Sequence, residues 1–411
     1  MYRVAQSVVL LVGAYLLLSG RPLFGLFLLF SAFGYWFFDR YTNRVVKGSE
    51  RKPREETSDF HDELFVADLH ADVCLWRRDH MKKNKRGHVD LPRLIEGNVS
   101  LQFVTVPTKL VLTRRLPRFF LTDLFFWSAM MSLQRVRTWF FVSARAELQL
   151  ERVSSWIEKS RGSLKLIRNS NDIQSLSEEQ SSSGQGIGIM LGLEGAHVLQ
   201  GRFNVNWLVE QGFRVVGITH FNDTRFGDSA HGWRRAGLTS AGQDLVKDLD
   251  KNGIIIDLAH CSEQLISDVI DMYNEGDLTR PPIVSHTGVK GVHNHRRNIS
   301  DEQAIAVAKA GGLIGITFFR PALPHNSVEA VGKVVLYLIN ILNEAGLEGV
   351  RHVAFGSDFD GAVRTVIDSS GWPQITEMLI ELGISEEDIQ LLMGENVRSF
   401  FAEHLHKATI T

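Results

Sequence analysis

Eight short apolar runs along the chain each end at a polar residue, and this repetition constrains the fold more than any other feature. The runs are rich in Val and Ile and show no polar alternation, which favours strands buried on both faces of a parallel sheet. They occupy Phe65–Leu69, Leu101–Val104, Ile187–Leu193, Arg214–Thr219, Gly253–Ala259, Pro282–Ser285, Leu313–Ile316 and His352–Ser357. Most of their carboxyl ends carry reactive side chains, so the pattern predicts an α/β fold, a (β/α)8 barrel of the TIM type with its chemistry on that rim.

Length and charge agree with this class. The chain has 411 residues, and a single barrel routinely uses about 250 residues or more. A formal charge of −2 and a pI near 6.7 give no sign of nucleic-acid binding, so we expect no nucleic-acid partner. Only two cysteines occur, Cys74 and Cys261, and we therefore expect no dependence on disulfides.

Two apolar runs, Val4–Leu18 and Leu23–Phe38, precede the barrel. Each would span roughly 23 Å as a helix, which is short of a ~30 Å hydrocarbon core. They predict either a helical hairpin or one kinked transmembrane helix that uses most of both runs. We expect a membrane anchor over residues 1–40, a juxtamembrane linker over residues 41–59 and the barrel over residues 60–411. Basic residues after the second run favour a barrel in the cytoplasm.

One interval between predicted strands, near residues 107–186, is too long for one helix and two loops. It contains Lys109–Phe141, which is dense in Phe, Trp, Leu, Arg and Lys. Two interpretations stay open for this segment: an extension packed on the barrel, or an amphipathic segment that lies in the membrane interface and contacts lipid. The polar stretch Ser175–Gly186 is predicted to be a surface loop.

Five residues at the ends of predicted strands have metal-binding side chains. His70 and Asp72 are two apart in extended chain, so both can reach one ion. Glu194 ends a buried strand, where a carboxylate needs a cationic partner, and its two oxygens allow it to bridge two ions. His260 and His286 close two further strands, and neutral imidazole suits Zn²⁺. We therefore expect two Zn²⁺ ions bridged by Glu194 and a hydroxide. The predicted ligands are His70, Asp72 and Glu194 for one ion, and Glu194, His260 and His286 for the other.

Three other polar residues suit the remaining steps of a hydrolysis. Asp358 could carry a proton from the attacking water to the leaving nitrogen. His220 could contact the substrate carbonyl and stabilise the oxyanion. Arg297 could hold a substrate carboxylate through two parallel hydrogen bonds.

Nine segments, in the same order along the chain, resemble the membrane dipeptidase (renal dipeptidase, peptidase family M19) family, a zinc branch of the amidohydrolase superfamily. The segments are DLHAD, HVDLPRLIEGNVSLQF, GLEGAH, GITHFN, LTSAGQDLVKDLDKNGIIIDLAHCS, PPIVSHTG, HRRNISD, FGSDFDG and MGENVRSF. The resemblance covers about Phe65 to Phe401 and implies the same ligand, substrate-binding and proton-transfer roles for the residues above. Ala71 stands where the family often has Asn, and Lys109–Phe141 and the loop after Phe319 diverge.

The resemblance implies hydrolysis of dipeptides, with tolerance of a D-configured C-terminal residue and, in some members, of β-lactams. The leading hypothesis is a membrane-anchored binuclear zinc dipeptidase with a small dipeptide as substrate, which could assemble as a homo-oligomer. Two alternatives stay open: another amide or lactone hydrolase on the same metal site, and a non-peptidase tailoring enzyme or scaffold. Familiar family members work outside the cytoplasm, whereas the basic flank favours the cytoplasm, so the side of the membrane stays open too.

Overall fold

The computed structural model describes residues 36–46, 52–111, 123–183 and 186–406, with a few isolated positions before residue 36. The strands of these residues are β1 Arg44–Val45, β2 Val66–Asp68, β3 Val99–Pro107, β4 Leu164–Ile167, β5 Ile187–Glu194, β6 Phe213–Gly217, β7 Ile255–Asp257, β8 Val284–Thr287, β9 Ile314–Ile316, β10 Val353–Phe355 and β11 Arg364–Thr365.

Helices precede, connect and follow the strands. They are α1 Glu55–Asp62, α2 Leu91–Glu96, α3 Leu124–Met131, α4 Val136–Phe140, α5 Val142–Lys159, α6 Ser170–Ser183, α7 Val205–Gln211, α8 Ser240–Lys251, α9 Glu263–Asn274, α10 Asp301–Lys309, α11 Val328–Glu344, α12 Trp372–Glu381, α13 Glu386–Gln390 and α14 Asn396–His404. Several begin at residues that cap the first turn. The Thr239, Ser262 and Ser300 side chains accept hydrogen bonds from backbone N–H groups of α8, α9 and α10, respectively.

All eight predicted strands are present, and they pair in parallel in two sheets with the orders β2-β3-β5-β6-β7 and β8-β9-β10. Backbone hydrogen bonds connect the sheets at both seams: Leu258 N donates to Ile283 O at 2.7 Å, and Leu69 N donates to Phe355 O at 3.0 Å. These bonds link the eight strands in a cyclic order. The predicted α/β class with a parallel sheet is confirmed, and the carboxyl ends of the strands lie on one rim.

Two glycines let strands β8, β9 and β10 approach each other closely near that rim. A Cβ added at Gly315 would lie 2.1 Å from the carbonyl oxygen of Ser285, and one added at Gly356 would lie 1.8 Å from the same oxygen. No real Cβ fits at these distances. The glycines therefore bring the end of β10, and the loop that follows it, against the end of β8.

The apolar core divides into two clusters of buried side chains. One contains residues of the cyclically linked strands and of α14. In it, the centres of the aromatic rings of Phe103 on β3 and Phe401 on α14 lie 5.1 Å apart. The larger cluster joins other strand residues to the surrounding helices, including α9 and α11. Packing on both faces of the strands explains why they appear in the sequence as unbroken apolar runs.

The long interval near residues 107–186 contains α3 to α6 and β4, which pairs with β5 and was not predicted. The loop prediction for Ser175–Gly186 was wrong as far as Ser183, because α6 continues to that residue. Ile173 and Leu176 anchor this helix in the core, and the Glu and Gln residues that follow have good helix propensity.

The described part of Lys109–Phe141 has a buried and an exposed side. Phe125 and Phe126 on α3 are buried, whereas Phe140 and Phe141 are 50% and 58% exposed. Arg118-Phe119-Phe120 lies outside the described residues. Both interpretations of this segment therefore stay open.

Most of the two N-terminal apolar runs also lies outside the described residues. Within the part of the chain that the structure describes, no helix has both the length and the apolar character needed to cross a membrane. Residues 36–42 are helical, and β1 pairs with β11. Helix α1 and Arg54, the residue before it, are held to α12: Arg54 Nε lies 2.6 Å from Glu377 Oε1, and His61 Nδ1 lies 2.7 Å from Thr376 Oγ1. Several residues of the predicted linker (41–59) that the structure describes thus contact the barrel.

Candidate active site

The ends of β2, β5, β7 and β8 bring the five predicted metal ligands into one buried cluster around Glu194. Glu194 Oε1 lies 2.9 Å from His260 Nε2, 3.5 Å from His70 Nε2 and 3.7 Å from His286 Nε2. Asp72 Oδ1 lies 3.8 Å from His70 Nε2. Three histidines at the ends of β2, β7 and β8 thus surround one carboxylate at the end of β5.

Backbone strain accompanies two of the residues on this rim. His260 and Asp358 both have a φ of 63°, in the left-handed region that non-glycine residues rarely adopt. Such conformations cost about 1–3 kcal/mol each and persist where the surrounding structure holds them. The fold thus keeps both side chains at the site in spite of a local cost.

Burial shifts the ionisation of the whole cluster. It raises the pKa of Glu194 and of Asp72 well above the usual range, and the negative charge of Asp358 acts in the same direction on both. Burial lowers the pKa of His70, His260 and His286 well below the usual range, with the positive charge of Arg297 contributing to each. These imidazoles are therefore neutral, as metal binding requires.

The donor atoms fit divalent metal ions. Glu194 Oε2 is buried and accepts no hydrogen bond from any described residue, and a carboxylate oxygen left in that state is costly unless a cation is bound. Carboxylate oxygens and neutral imidazole nitrogens are the ligand set that Zn²⁺ takes at catalytic sites.

Three overlapping groups of three residues each bring their ligand atoms within 4.8 Å of one another, and all five predicted ligands occur among these groups. The groups are His70, Glu194 and His286; Glu194, His220 and His260; and His70, Asp72 and Asp358. The grouping differs from the predicted division of ligands between two ions, which stays a prediction.

Sequence reasoning missed the side chains that orient these ligands. Ser285 Oγ lies 2.8 Å from His286 Nδ1 and 3.4 Å from His70 Nδ1, and donates to Asp257 Oδ2 at 2.6 Å. Thr105 Oγ1 donates to Asp72 Oδ1 at 2.6 Å. Such contacts fix the rotation of ligands around a metal. The sequence signal that could have identified Ser285 and Thr105 is a hydroxyl side chain at the end of an apolar run.

Arg297 and Asp358, predicted to serve the substrate, lie close to this cluster. Arg297 is only 7% exposed, and its Nη2 donates to His286 O at 2.8 Å. Burial raises the pKa of Asp358 to about 7, while the charge of Arg297 lowers it. A carboxyl group with a pKa near neutrality can both accept and donate a proton.

His220 lies on the same rim, with Nε2 at 3.4 Å from Glu194 Oε2 and Nδ1 at 3.2 Å from Lys109 O. A carbonyl oxygen only accepts, so Nδ1 carries the proton in the neutral ring and Nε2 presents a lone pair. Burial lowers the pKa of His220 to about 3. To donate to an oxyanion, His220 has to break the Lys109 contact or gain a second proton, and its predicted role stays a prediction.

The chain resembles known proteins over most of its length. The profile of the membrane dipeptidase family (peptidase family M19) matches residues 54–408. An uncharacterised dipeptidase of Schizosaccharomyces pombe is 31% identical over 219 residues, which cover 51% of this chain and 52% of that protein. Dipeptidase tcpJ of Claviceps purpurea is 26% identical over 356 residues, 83% of this chain and 75% of that protein. The chain thus spans about half of the first relative and three quarters of the second.

A solved structure shows the same fold. The metallopeptidase of Rhodobacter sphaeroides, determined with a phosphinate mimic of the dipeptide L-Ala-D-Ala, superposes with a TM-score of 0.66 at 22% identity, covering 83% of this chain and 99% of that chain. The family profile covers most of the chain, including every predicted site residue. The chain therefore belongs to the membrane dipeptidase family, peptidase family M19.

Proposed function

We propose that this protein is a binuclear zinc dipeptidase that hydrolyses the amide bond of dipeptides with a free C-terminal carboxylate. The observation that carries the proposal is the clustering of five ligand-type side chains, with Glu194 among three histidines, Asp72 beside His70, and Arg297 and Asp358 close by. Family membership supports the reaction class, because the matched family is that of the membrane dipeptidases.

Each residue has a separate task in this proposal. His70, Asp72, Glu194, His260 and His286 would hold the metal ions. Bound zinc would supply an activated water and a Lewis acid for the amide carbonyl. Arg297 binds the substrate carboxylate, and its burial strengthens that contact. Asp358 accepts a proton from the water and returns it to the leaving nitrogen. His220 contacts the carbonyl oxygen once its Nε2 is protonated.

Dipeptides with a D-configured C-terminal residue belong to the proposed substrate class. The support is the R. sphaeroides metallopeptidase of similar fold, whose structure holds a mimic of L-Ala-D-Ala. A carboxylate held by Arg297 can be presented by either configuration of the last residue. The side chain of that residue then decides which dipeptides fit.

We also propose that residues 1–40 anchor the protein in a membrane. The two apolar runs of the sequence support this location. The exposed aromatic side chains Trp36, Phe37 and Tyr41 at the end of the second run add to it, because Trp and Tyr gather at membrane interfaces.

Replacement of Arg297 tests the proposed substrate class. Arg297→Met should raise KM strongly for free dipeptides and far less for the same dipeptides amidated at the C-terminus, since only the former carry a carboxylate. Loss of a buried charged contact should weaken the binding free energy of the free dipeptide by about 2–5 kcal/mol. Steady-state kinetics on matched free and amidated L,L- and L,D-dipeptides, with zinc analysis of each variant, measure the effect.

The exposed neighbour Arg296 offers a matched control. Arg296→Met should leave both substrates almost unaffected. Equal losses on free and amidated substrates in Arg297→Met would remove Arg297 from the carboxylate site. A wild-type protein that cleaves lactones but no dipeptide would favour the alternative hydrolase.

A further inference from the structure

An acidic residue at the end of the predicted anchor is buried against the barrel. Asp39 is 1% exposed, although it directly follows the second apolar run. Its Oδ2 accepts a hydrogen bond from Arg78 Nε at 3.2 Å and lies 3.3 Å from Arg86 Nη1, and its Oδ1 also accepts from Arg78 Nη2. Asn43 Nδ2 donates to Oδ1 at 3.0 Å. The carboxylate of Asp39 is thus fully used by partners in the chain.

Arg78 connects Asp39 to the loop after β10. The Arg78 and Asp360 side chains are both fully buried, and Arg78 Nη1 donates to Asp360 Oδ2 at 2.8 Å. One buried guanidinium is therefore shared between a carboxylate of the N-terminal segment and a carboxylate of the barrel. A buried arginine that loses one of two counter-ions leaves a charge that is only partly compensated.

Asp360 belongs to the same short loop as Asp358. Both have a positive φ, 61° and 63°, so this loop is held in a conformation that it would not adopt unaided. Asp360 Oδ1, the oxygen that does not bind Arg78, accepts a hydrogen bond from His88 N at 2.8 Å, so both oxygens of this carboxylate are held. On the metal side, Asp358 N donates to His70 O at 3.1 Å. A shift of Asp360 would therefore move Asp358 relative to the metal ligands.

A second contact joins the same N-terminal segment to the same loop region. Strand β1 pairs in parallel with β11, and Val46 N donates to Thr365 O at 2.9 Å. The guanidinium of Arg364 lies 4.5 Å from the centre of the Tyr41 ring. Residues 36–46 thus reach the loop that follows β10 in two ways. One is through Arg78, which binds both Asp39 and Asp360, and the other is through β11, into which that loop continues.

We propose that residues 36–46 are part of the catalytic unit, and that Asp39 is a positioning residue that holds Asp358 through Arg78 and Asp360. The inference rests on the proposed function, since it assumes that Asp358 transfers the proton. It assigns to the end of the anchor, and to the residues that follow it, a role in turnover as well as in location. A misplacement of a reacting group by about 1 Å can cost about 10²-fold in rate.

Substitution of Asp39 in the full-length protein, purified in detergent with zinc, tests the proposal. Asp39→Asn should lower kcat by roughly 10–10²-fold on a dipeptide, with KM and zinc content close to wild type. Asp39→Glu keeps the negative charge on Arg78 and should lose less. Asp59→Asn changes an exposed carboxylate on α1 and should leave kcat unchanged.

A role limited to docking the segment predicts a different pattern, in which Asp39→Asn lowers the melting temperature but keeps the kcat of the folded enzyme. That result would overturn the proposal, as would equal losses in Asp39→Asn and Asp39→Glu. A loss of zinc that parallels the loss of kcat would likewise refute a role through Asp358. Failure of the proposed function is separable, because it would show as a wild-type protein without dipeptidase activity or an Asp358→Asn variant with full activity.

Discussion

Asp358 lies where burial, neighbouring charge and backbone conformation act on one carboxyl group. It is half-buried, has a positive φ, and has a pKa that the positive charge of Arg297 lowers. Arg297 stabilises the ionised form, whereas burial disfavours it. The balance leaves a group that can change its protonation state near neutral pH, which is the property that a proton carrier needs.

Asp358→Asn should keep its zinc and lose about 10²–10⁴-fold in turnover, the usual contribution of acid–base catalysis. The substitution removes the proton acceptor but preserves the size of the side chain. Zinc analysis together with kcat on a good dipeptide measures both effects. Unchanged turnover would assign proton transfer to another group.

The same carboxyl group predicts a pH dependence. The base form is the carboxylate, so kcat/KM should fall as the pH decreases through the pKa of Asp358, which burial raises to about 7. Arg297 lowers this pKa, and bound cations act in the same direction, so the acid limb should lie at or below about pH 7. Arg297→Met removes a positive charge and should move the limb to higher pH. A limb that moves to lower pH would contradict this electrostatic coupling.

Among the secondary structure elements, the strands of the ring were predictable because each is buried on both faces. Strands such as β5 and β7 therefore have apolar side chains at nearly every position. Strands β1 and β11 have only two residues each and carry charged side chains, so no local pattern marks them. Their pairing is a tertiary contact between segments far apart in the chain.

Helix α4 allows a test of the interpretation that Lys109–Phe141 lies in the membrane interface. Phe140 and Phe141 are largely exposed at its end, and aromatic side chains there would insert into a lipid interface. On this interpretation, protein lacking residues 1–35 should co-sediment with anionic liposomes at low salt, since nearby Arg and Lys residues contribute about 1 kcal/mol each. The double variant Phe140→Ser/Phe141→Ser should bind less.

Ile95→Ser changes an exposed apolar residue on α2 and should not affect this binding. Protein that ignores anionic liposomes would return Lys109–Phe141 to the interpretation of a packed extension. Protease digestion of intact cells locates the barrel independently, because cleavage from outside would exclude a cytoplasmic barrel.

For the whole molecule, metal binding should couple to stability. The cluster around Glu194 joins four strands, and its burial is unfavourable for the ionised carboxylates. Ions that bind only the folded state stabilise it in proportion to the logarithm of their concentration. Chelator treatment should therefore lower the melting temperature.

Elemental analysis of protein purified without chelator should show close to two zinc equivalents. Glu194→Ala should lower occupancy at both positions, because Glu194 is the proposed bridge. Glu210→Ala, which removes an exposed carboxylate, is the matched control. One equivalent or none in a fully active enzyme would exclude the bridging arrangement.

The sequence by itself determined the strands of the ring and the residues on its rim, because a buried parallel strand is an apolar run and its last side chain faces the site. It also identified His70, Asp72, Glu194, His260 and His286 as a set, since polar residues at that position are costly without a partner.

Only the tertiary structure decided which side chains orient them. Ser285 contacts two imidazoles and Thr105 contacts Asp72 across neighbouring strands. Likewise, Asp39 reaches Asp360 through Arg78 over more than 300 residues of chain. Such contacts depend on distance in space, and a local sequence pattern carries no record of that distance.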